Sequence, residues 1–202
     1  MIWLASPDAT APDLPAVWLV ATGERPANLA ERSALRRGMA RAIVARRWQA
    51  PEERIEIGHD ARGRPLLVRP AGTGLHLSLA TRAGLVAVAL AERPVGVDVE
   101  RIDHSAALPL AALHGAEQQA LEALEVDARP RAFALIWAAK EAYVKALGTG
   151  FQRAPESFAV RLLPGEGVEV DDPERGSPVG GATRLIKNGG QESLAAAVIV
   201  LD

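Results

Sequence analysis

The sequence predicts an α+β fold of two similar halves, each a long helix packed on a small, mainly antiparallel sheet, the halves forming a pseudo-two-fold pair. Two helical stretches of similar length stand far apart in the chain, Asn28 to Trp48 and Arg131 to Leu147. A set of short β-type runs, punctuated by Gly and Pro, follows each of them. Helices set apart from blocks of strands indicate an α+β arrangement. No sequence repeat underlies the two halves, so the duplication is one of pattern. The halves divide as residues 1–102 and 103–202, and the seam between them is the natural place for a site.

Val17 to Thr22 reads as a short buried strand. The first helix follows, with Leu29, Leu35, Met39, Ile43 and Val44 as its apolar members. Strands are expected at Arg54–Gly58, Arg64–Val68, Gly74–Ala80, Leu85–Ala91 and Val95–Arg101, with Gly63, Pro70, Gly72, Gly74 and Gly84 between them. Asp103 to Leu113 is a connector with a helical turn, and Ala116 to Leu124 is helical. The second long helix stops at Gly148 and Gly150. Ser157–Leu163, Val168–Val170, Ala182–Lys187 and Ser193–Leu201 complete the strands, with Pro164 to Gly181 a hairpin excursion.

The composition is that of a globular domain: 202 residues, 49 % hydrophobic and 24 % charged. A net charge of −2 argues against a nucleic-acid partner. The absence of cysteine excludes thiol chemistry and thiolate zinc sites, and four histidines without H-x-x-x-H spacing make a histidine zinc site a poor reading. The N-terminus lacks a basic region and a sustained apolar run, so no secretory leader is expected. No apolar stretch approaches the roughly 20 residues of a membrane span. A cytoplasmic protein without a membrane partner is the expectation.

Two motifs carry chemistry. On the second long helix, at about 100° per residue, Phe133, Ile136, Val144 and Leu147 share a broad arc with Trp137. Lys140 falls inside that arc, Glu141 at its edge and Lys145 just beyond. Alone, Glu141 and Lys145 are an ordinary i,i+4 pair, and Lys140 can snorkel to water. In the strand PVGVDVER, Val95, Val97 and Val99 point one way, and Gly96, Asp98 and Glu100 the other. The two carboxylates lie about 7 Å apart along the strand, a spacing that suits a hard cation such as Mg²⁺. Alone, this is equally a solvated strand face. Together, Asp98, Glu100 and Glu141, with Lys140, Lys145, Arg64, Arg32, Arg36 and Arg37 as cations, point to Mg²⁺-dependent chemistry on a phosphate ester or anhydride. An unrelated phosphohydrolase fits that description as well.

The order and spacing of Val95-Gly96-Val97-Asp98-Val99-Glu100 and of Trp137, Lys140, Glu141, Ala142 and Lys145 resemble the phosphopantetheinyl transferases. The G-T-G-F run at Gly148–Phe151, Gly63-Arg64-Pro65, Ser78 and Glu117 add to the likeness, which spans roughly Arg32 to Val160. The length resembles the Sfp-type branch, which implies a monomer. The resemblance implies transfer of the phosphopantetheine arm of coenzyme A to a serine of an acyl or peptidyl carrier protein. It makes Asp98, Glu100 and Glu141 the Mg²⁺ ligands and Glu141 also the general base. Lys145 then contacts the pyrophosphate, Ser78 a phosphate, Arg64 the adenosine side and Arg32 the 3′-phosphate. One departure stands out: Leu79 occupies the position after Ser78 where the family usually has histidine, so one phosphate contact is missing. His76 lies on the opposite strand face from Leu79. The departure leaves open a non-catalytic relative that binds a carrier protein or coenzyme A.

Overall fold

The computed structural model describes residues 1–149, 153–188 and 191–202. Gly150 and Phe151, the end of the G-T-G-F run, lie outside the described residues. Strands β1 (Ile2–Leu4) and β2 (Ala16–Ala21) precede helix α1 (Leu29–Arg47). The hairpin β3 (Glu56–His59) and β4 (Pro65–Arg69) leads to β5 (His76–Arg82), β6 (Leu85–Ala91) and β7 (Val95–Arg101). Helices α2 (Gly115–Glu122) and α3 (Arg129–Leu147) follow, then β8 (Ala159–Leu162), β9 (Gly167–Asp171), β10 (Val179–Asn188) and β11 (Gln191–Val200). No helix of the described residues is long and apolar enough to cross a membrane.

The strands form one sheet in the order β1-β2-β6-β5, a second in the order β7-β11-β10-β9-β8, and the β3-β4 hairpin. Alternation of side chains turns these sheets into four layers. On the outer face of the first sheet, Trp18, Val86, Val88 and Leu90 meet Ala40, Ile43 and Val44 of α1. On its inner face, Val17, Leu19, Ala87 and Ala89 meet Val95, Val97, Val99 and Val198 of the second sheet. The outer face of the second sheet, with Ala197 and Ile199, packs on α3. The fold is therefore α+β, with each long helix on its own sheet. The division at residue 102 groups β7 with the first half, whereas its hydrogen-bonded neighbour is β11 of the second sheet.

Several differences from the sequence reading have physical reasons. β1 is only three residues long, too short to show a period, and is held by parallel pairing with β2. β10 starts at Val179, three residues early, because Gly181 is a strand residue at a crowded crossing and not a breaker. A Cβ there would lie 2.3 Å from the Val198 carbonyl oxygen. In the arc around Trp137, Phe133 and Trp137 stack on each other while half-buried, whereas Ile136, Lys140 and Val144 are buried. Ala138, Ala142 and Ala146 are fully buried.

Lys140 is a buried tie. Its Nζ sits 2.7 Å from Glu117 Oε1 and donates to the carbonyls of Pro155 and Phe158, and it lies 4.3 Å from the centre of the Phe158 ring. Glu117 also accepts from the Val160 and His114 amides, closing the N-terminus of α2. The pair thus joins α2, α3 and the start of β8. Removing one partner of a buried pair leaves the other charge uncompensated, at a cost of about 3–5 kcal/mol. Lys140→Met is expected to lose that much in urea unfolding, and adding Glu117→Gln to recover part of it. Gly96 faces α3, and a Cβ on it would sit 1.8 Å from the Ala142 carbonyl oxygen and 2.7 Å from the Ala146 amide nitrogen. Gly96→Ala is expected to cost about 3 kcal/mol or more by overpacking against backbone, read as a lowered denaturant midpoint.

Candidate functional site

The edge strands of the two sheets, β5 and β7, meet at the seam. An edge strand carries backbone groups that its own sheet does not pair. At Val97 both are closed by side chains: its amide donates to Ser78 Oγ at 3.0 Å, and its carbonyl accepts from Lys145 Nζ at 3.0 Å. Lys145 Nζ also lies 2.6 Å from Asp98 Oδ1. Because α3 approaches β7 so closely at Gly96, Glu141 and Lys145, one turn apart, stand over the Asp98 side of the strand.

A pocket of about 300 Å³ opens at this seam, within the range of small-molecule sites. Ser78, Glu141, Lys145 and Arg64 line it, as do the backbone of Gly148 and the side chain of Leu79. Its charge is lopsided: Arg36, Arg37, Arg62, Arg64, Lys145 and Arg153 are cationic, against the single carboxylate of Glu141 among the described lining residues. Gly148 ends α3 in the left-handed conformation at φ 68°, and a Cβ there would collide with the Arg64 guanidinium at 1.8 Å. That glycine serves both the helix stop and the seating of Arg64. The loop carrying Arg64 is shaped by Asp60, whose carboxylate accepts from the Arg62 and Arg64 amides.

Behind the pocket wall, Asp98 is buried, and its Oδ2 has no hydrogen-bond partner. Glu100 pairs with Arg82 at 2.5 Å. Burial, then repulsion from Asp98, holds the carboxyls of both Glu100 and Glu141 above the ordinary carboxylate range, against the pull of Arg82 on both and of Lys145 on Glu141. The three carboxylates therefore share one electrostatic neighbourhood. Among the described residues no group of three or more such side chains stands arranged to hold a metal ion. The donors present are carboxylate oxygens, one of them orphaned, and these suit a hard divalent cation.

The structure brings Arg64, Ser78, Glu141 and Lys145 to one pocket, with Asp98 and Glu100 next to it. Arg32 is exposed on α1 and is not part of the wall; Ser33, Arg36 and Arg37 are. Leu79 is buried against the core of the first half and gives the pocket an apolar patch. His76 is absent from the wall, and burial together with Arg64 lowers its pKa. Sequence reasoning missed His59, Arg62 and Arg153, which arrive from loops or strand ends, and Arg82, whose strand runs past the expected end at Ala80.

The raised carboxyls have a consequence for stability. A carboxyl whose folded pKa exceeds its ordinary value of 4.5 contributes stability that is complete below that value and is lost as pH rises through the folded pKa. Glu141→Gln, which cannot ionise, is expected to be increasingly more stable than the wild type as pH rises from the ordinary value of 4.5 through the raised folded pKa of Glu141. Urea unfolding in chelator would show this.

A family model described as the 4′-phosphopantetheinyl transferase superfamily matches residues 94–197, just over half of the chain. The chain is 25 % identical to 4′-phosphopantetheinyl transferase Sfp of Bacillus subtilis over 150 residues, covering 74 % of this chain and 66 % of that one. It is 28 % identical to 4′-phosphopantetheinyl transferase psf-1 of Bacillus pumilus, covering 66 % and 57 %. It thus spans less than two thirds of the length of these relatives. A more distant likeness is the crystal structure of Thermotoga maritima holo-[acyl-carrier-protein] synthase, 22 % identical with a TM-score of 0.38, covering 54 % of this chain and 62 % of that one. The family match contains the strand that carries Asp98 and Glu100 and the helix that carries Glu141 and Lys145, and the chain belongs to the 4′-phosphopantetheinyl transferase superfamily.

Proposed function

We propose that this protein transfers the 4′-phosphopantetheine arm of coenzyme A to a serine of an acyl or peptidyl carrier protein, with Mg²⁺ held by Asp98, Glu100 and Glu141. The observation that carries this reading is the seam pocket, whose cationic wall faces the Glu141 carboxylate, a neighbour of the buried Asp98 carboxylate with its orphaned oxygen. A polyanionic nucleotide needs such a wall, and a divalent ion needs such oxygens. The names of the relatives support the same reaction. We further propose that the two halves are pseudo-two-fold related and that the chain acts as a monomer. In support, α1 and α3 are each 19 residues long and cover opposite sides of the paired sheets.

The chemistry follows from the side chains. The carrier serine oxygen forms a bond to the phosphorus that bears the pantetheine arm. The anhydride bond breaks, adenosine 3′,5′-bisphosphate leaves, and the serine proton passes to Glu141 directly or through a water. Glu141 is suited to accept it because its carboxylate lines the pocket at the seam. Lys145, one turn on, exchanges its contact with Asp98 for the phosphate oxygens on which charge builds. The Ser78 hydroxyl accepts from the Val97 amide and keeps its proton free to donate to a phosphate. When bound, Mg²⁺ supplies charge neutralisation at the pyrophosphate.

The test is mass spectrometry of an apo carrier protein after incubation with coenzyme A and Mg²⁺. The expected outcome is a gain of one phosphopantetheine, absent in chelator and absent with Glu141→Gln. No gain across carriers of fatty-acid, polyketide and peptide type, or near-normal turnover by Glu141→Gln, would sink the reading.

A further inference from the structure

Two of the three seam carboxylates are already held by cations of the protein. Lys145 Nζ lies 2.6 Å from Asp98 Oδ1, and Arg82 Nη2 lies 2.5 Å from Glu100 Oε2. Together these groups bring the two positive charges that one divalent ion would supply. They differ in where they can go. Lys145 lines the pocket, so an anion there offers it a second partner. Arg82 is not among the lining residues, and Glu100 is its one ion-pair partner among the described residues. Its position is built into the fold. β5 and β6 pair from His76–Ala91 down to Arg82–Leu85, across a two-residue turn of Ala83 and Gly84 at φ 49° and 81°. Positive φ at both turn residues gives the tight hairpin whose twist matches its strands. The Thr81 hydroxyl donates to the Leu85 carbonyl, and the Gly84 carbonyl accepts from the Thr22 and Gly23 amides, which ties the turn to the segment after β2. Arg82 is thus the last strand residue of a braced hairpin end. A half-exposed ion pair adds little stability of its own, so its larger effect falls on a cation arriving at Glu100. If the guanidinium leaves, a pair is broken; if it stays on Oε2, a positive charge remains beside the divalent ion. Both weaken binding.

We propose that Arg82 is a stand-in cation: it occupies Glu100 in the ligand-free protein and weakens the site for a divalent ion that arrives alone. Arg82 acts through Glu100, as a positioning residue. The bare site is thereby kept from filling with metal before a diphosphate in the pocket adds its own oxygens and draws on Lys145. The inference rests on the reading of Asp98, Glu100 and Glu141 as metal ligands.

The test is Mn²⁺ binding to the full chain without coenzyme A, read from the electron paramagnetic resonance signal of the free ion, for wild type, Arg82→Met, Arg82→Lys and Glu100→Gln. Arg82→Met is expected to bind about three-fold tighter or more, the scale of effect of one exposed charge. Arg82→Lys, which keeps the charge, is expected to stay within about two-fold of the wild type. Glu100→Gln is expected to bind more weakly. Melting temperatures in chelator and at one fixed Mn²⁺ concentration give a second readout. Arg82→Met is expected to melt lower in chelator, where Glu100 faces Asp98 without a counter-charge, and to gain more from Mn²⁺ than the wild type does. A merely structural loss would leave that gain unchanged. If Glu100→Gln weakens binding, any of three results overturns the inference and leaves the metal reading standing: equal or weaker binding by Arg82→Met, an Arg82→Lys protein that matches Arg82→Met, or an unchanged melting gain. If Glu100→Gln binds as the wild type does, the ion lies elsewhere and both fall.

Discussion

The close approach of α3 to β7 at Gly96 is the constraint on which the rest of the structure depends. With no side chain on that glycine, the backbone of Ala142 and Ala146 comes within reach of the strand. The alanine stripe at Ala138, Ala142 and Ala146 is the matching surface on the helix. The same contact fixes the height of Glu141 and Lys145 over Asp98. It brings two elements about forty residues apart in sequence to one side of one strand. The motif glycine is thus a packing residue whose effect is measured in the position of charges.

Much of the site was legible in the sequence because its parts obey simple periods. The two-residue alternation of PVGVDVER places Val95, Val97 and Val99 between the sheets and Gly96, Asp98 and Glu100 towards α3, as expected. The i,i+4 spacing of Glu141 and Lys145 survives intact. What escaped was what depends on distant partners. Lys140 looked anomalous in an apolar arc, and its explanation lies in Glu117, on another helix. Arg82 meets Glu100 only because the β5–β6 hairpin runs longer than its local pattern indicates. Arg32 and Arg36 sit on the same helix four residues apart, and only the packing of α1 on its sheet decides which of them faces the seam.

Two kinds of buried charge coexist here, and they behave oppositely. Lys140 and Glu117 are sealed from water and satisfied on every side, so they fix the geometry of the second half. Glu141, Glu100 and Arg36 are held beside like charges with incomplete compensation. The first arrangement secures the scaffold. The second stores unfavourable electrostatics at the seam, which ligands of the right charge release. Tyr143 and Asp172 extend the satisfied kind to the far rim. There the Tyr143 hydroxyl donates to Asp172, which pairs with Arg153 at the pocket edge.

Ser78 and Lys145 do more than line the pocket. They are also the closures of the open edge of β7, one on each backbone group of Val97. Any movement of Lys145 away from Val97 would uncover a carbonyl that the second sheet does not pair, which couples the pocket wall to the sheet margin through one ammonium group. Drift at either position is therefore doubly constrained. A replacement must suit the pocket wall and must also cap a strand, which narrows the substitutions open to this seam more than either demand would alone.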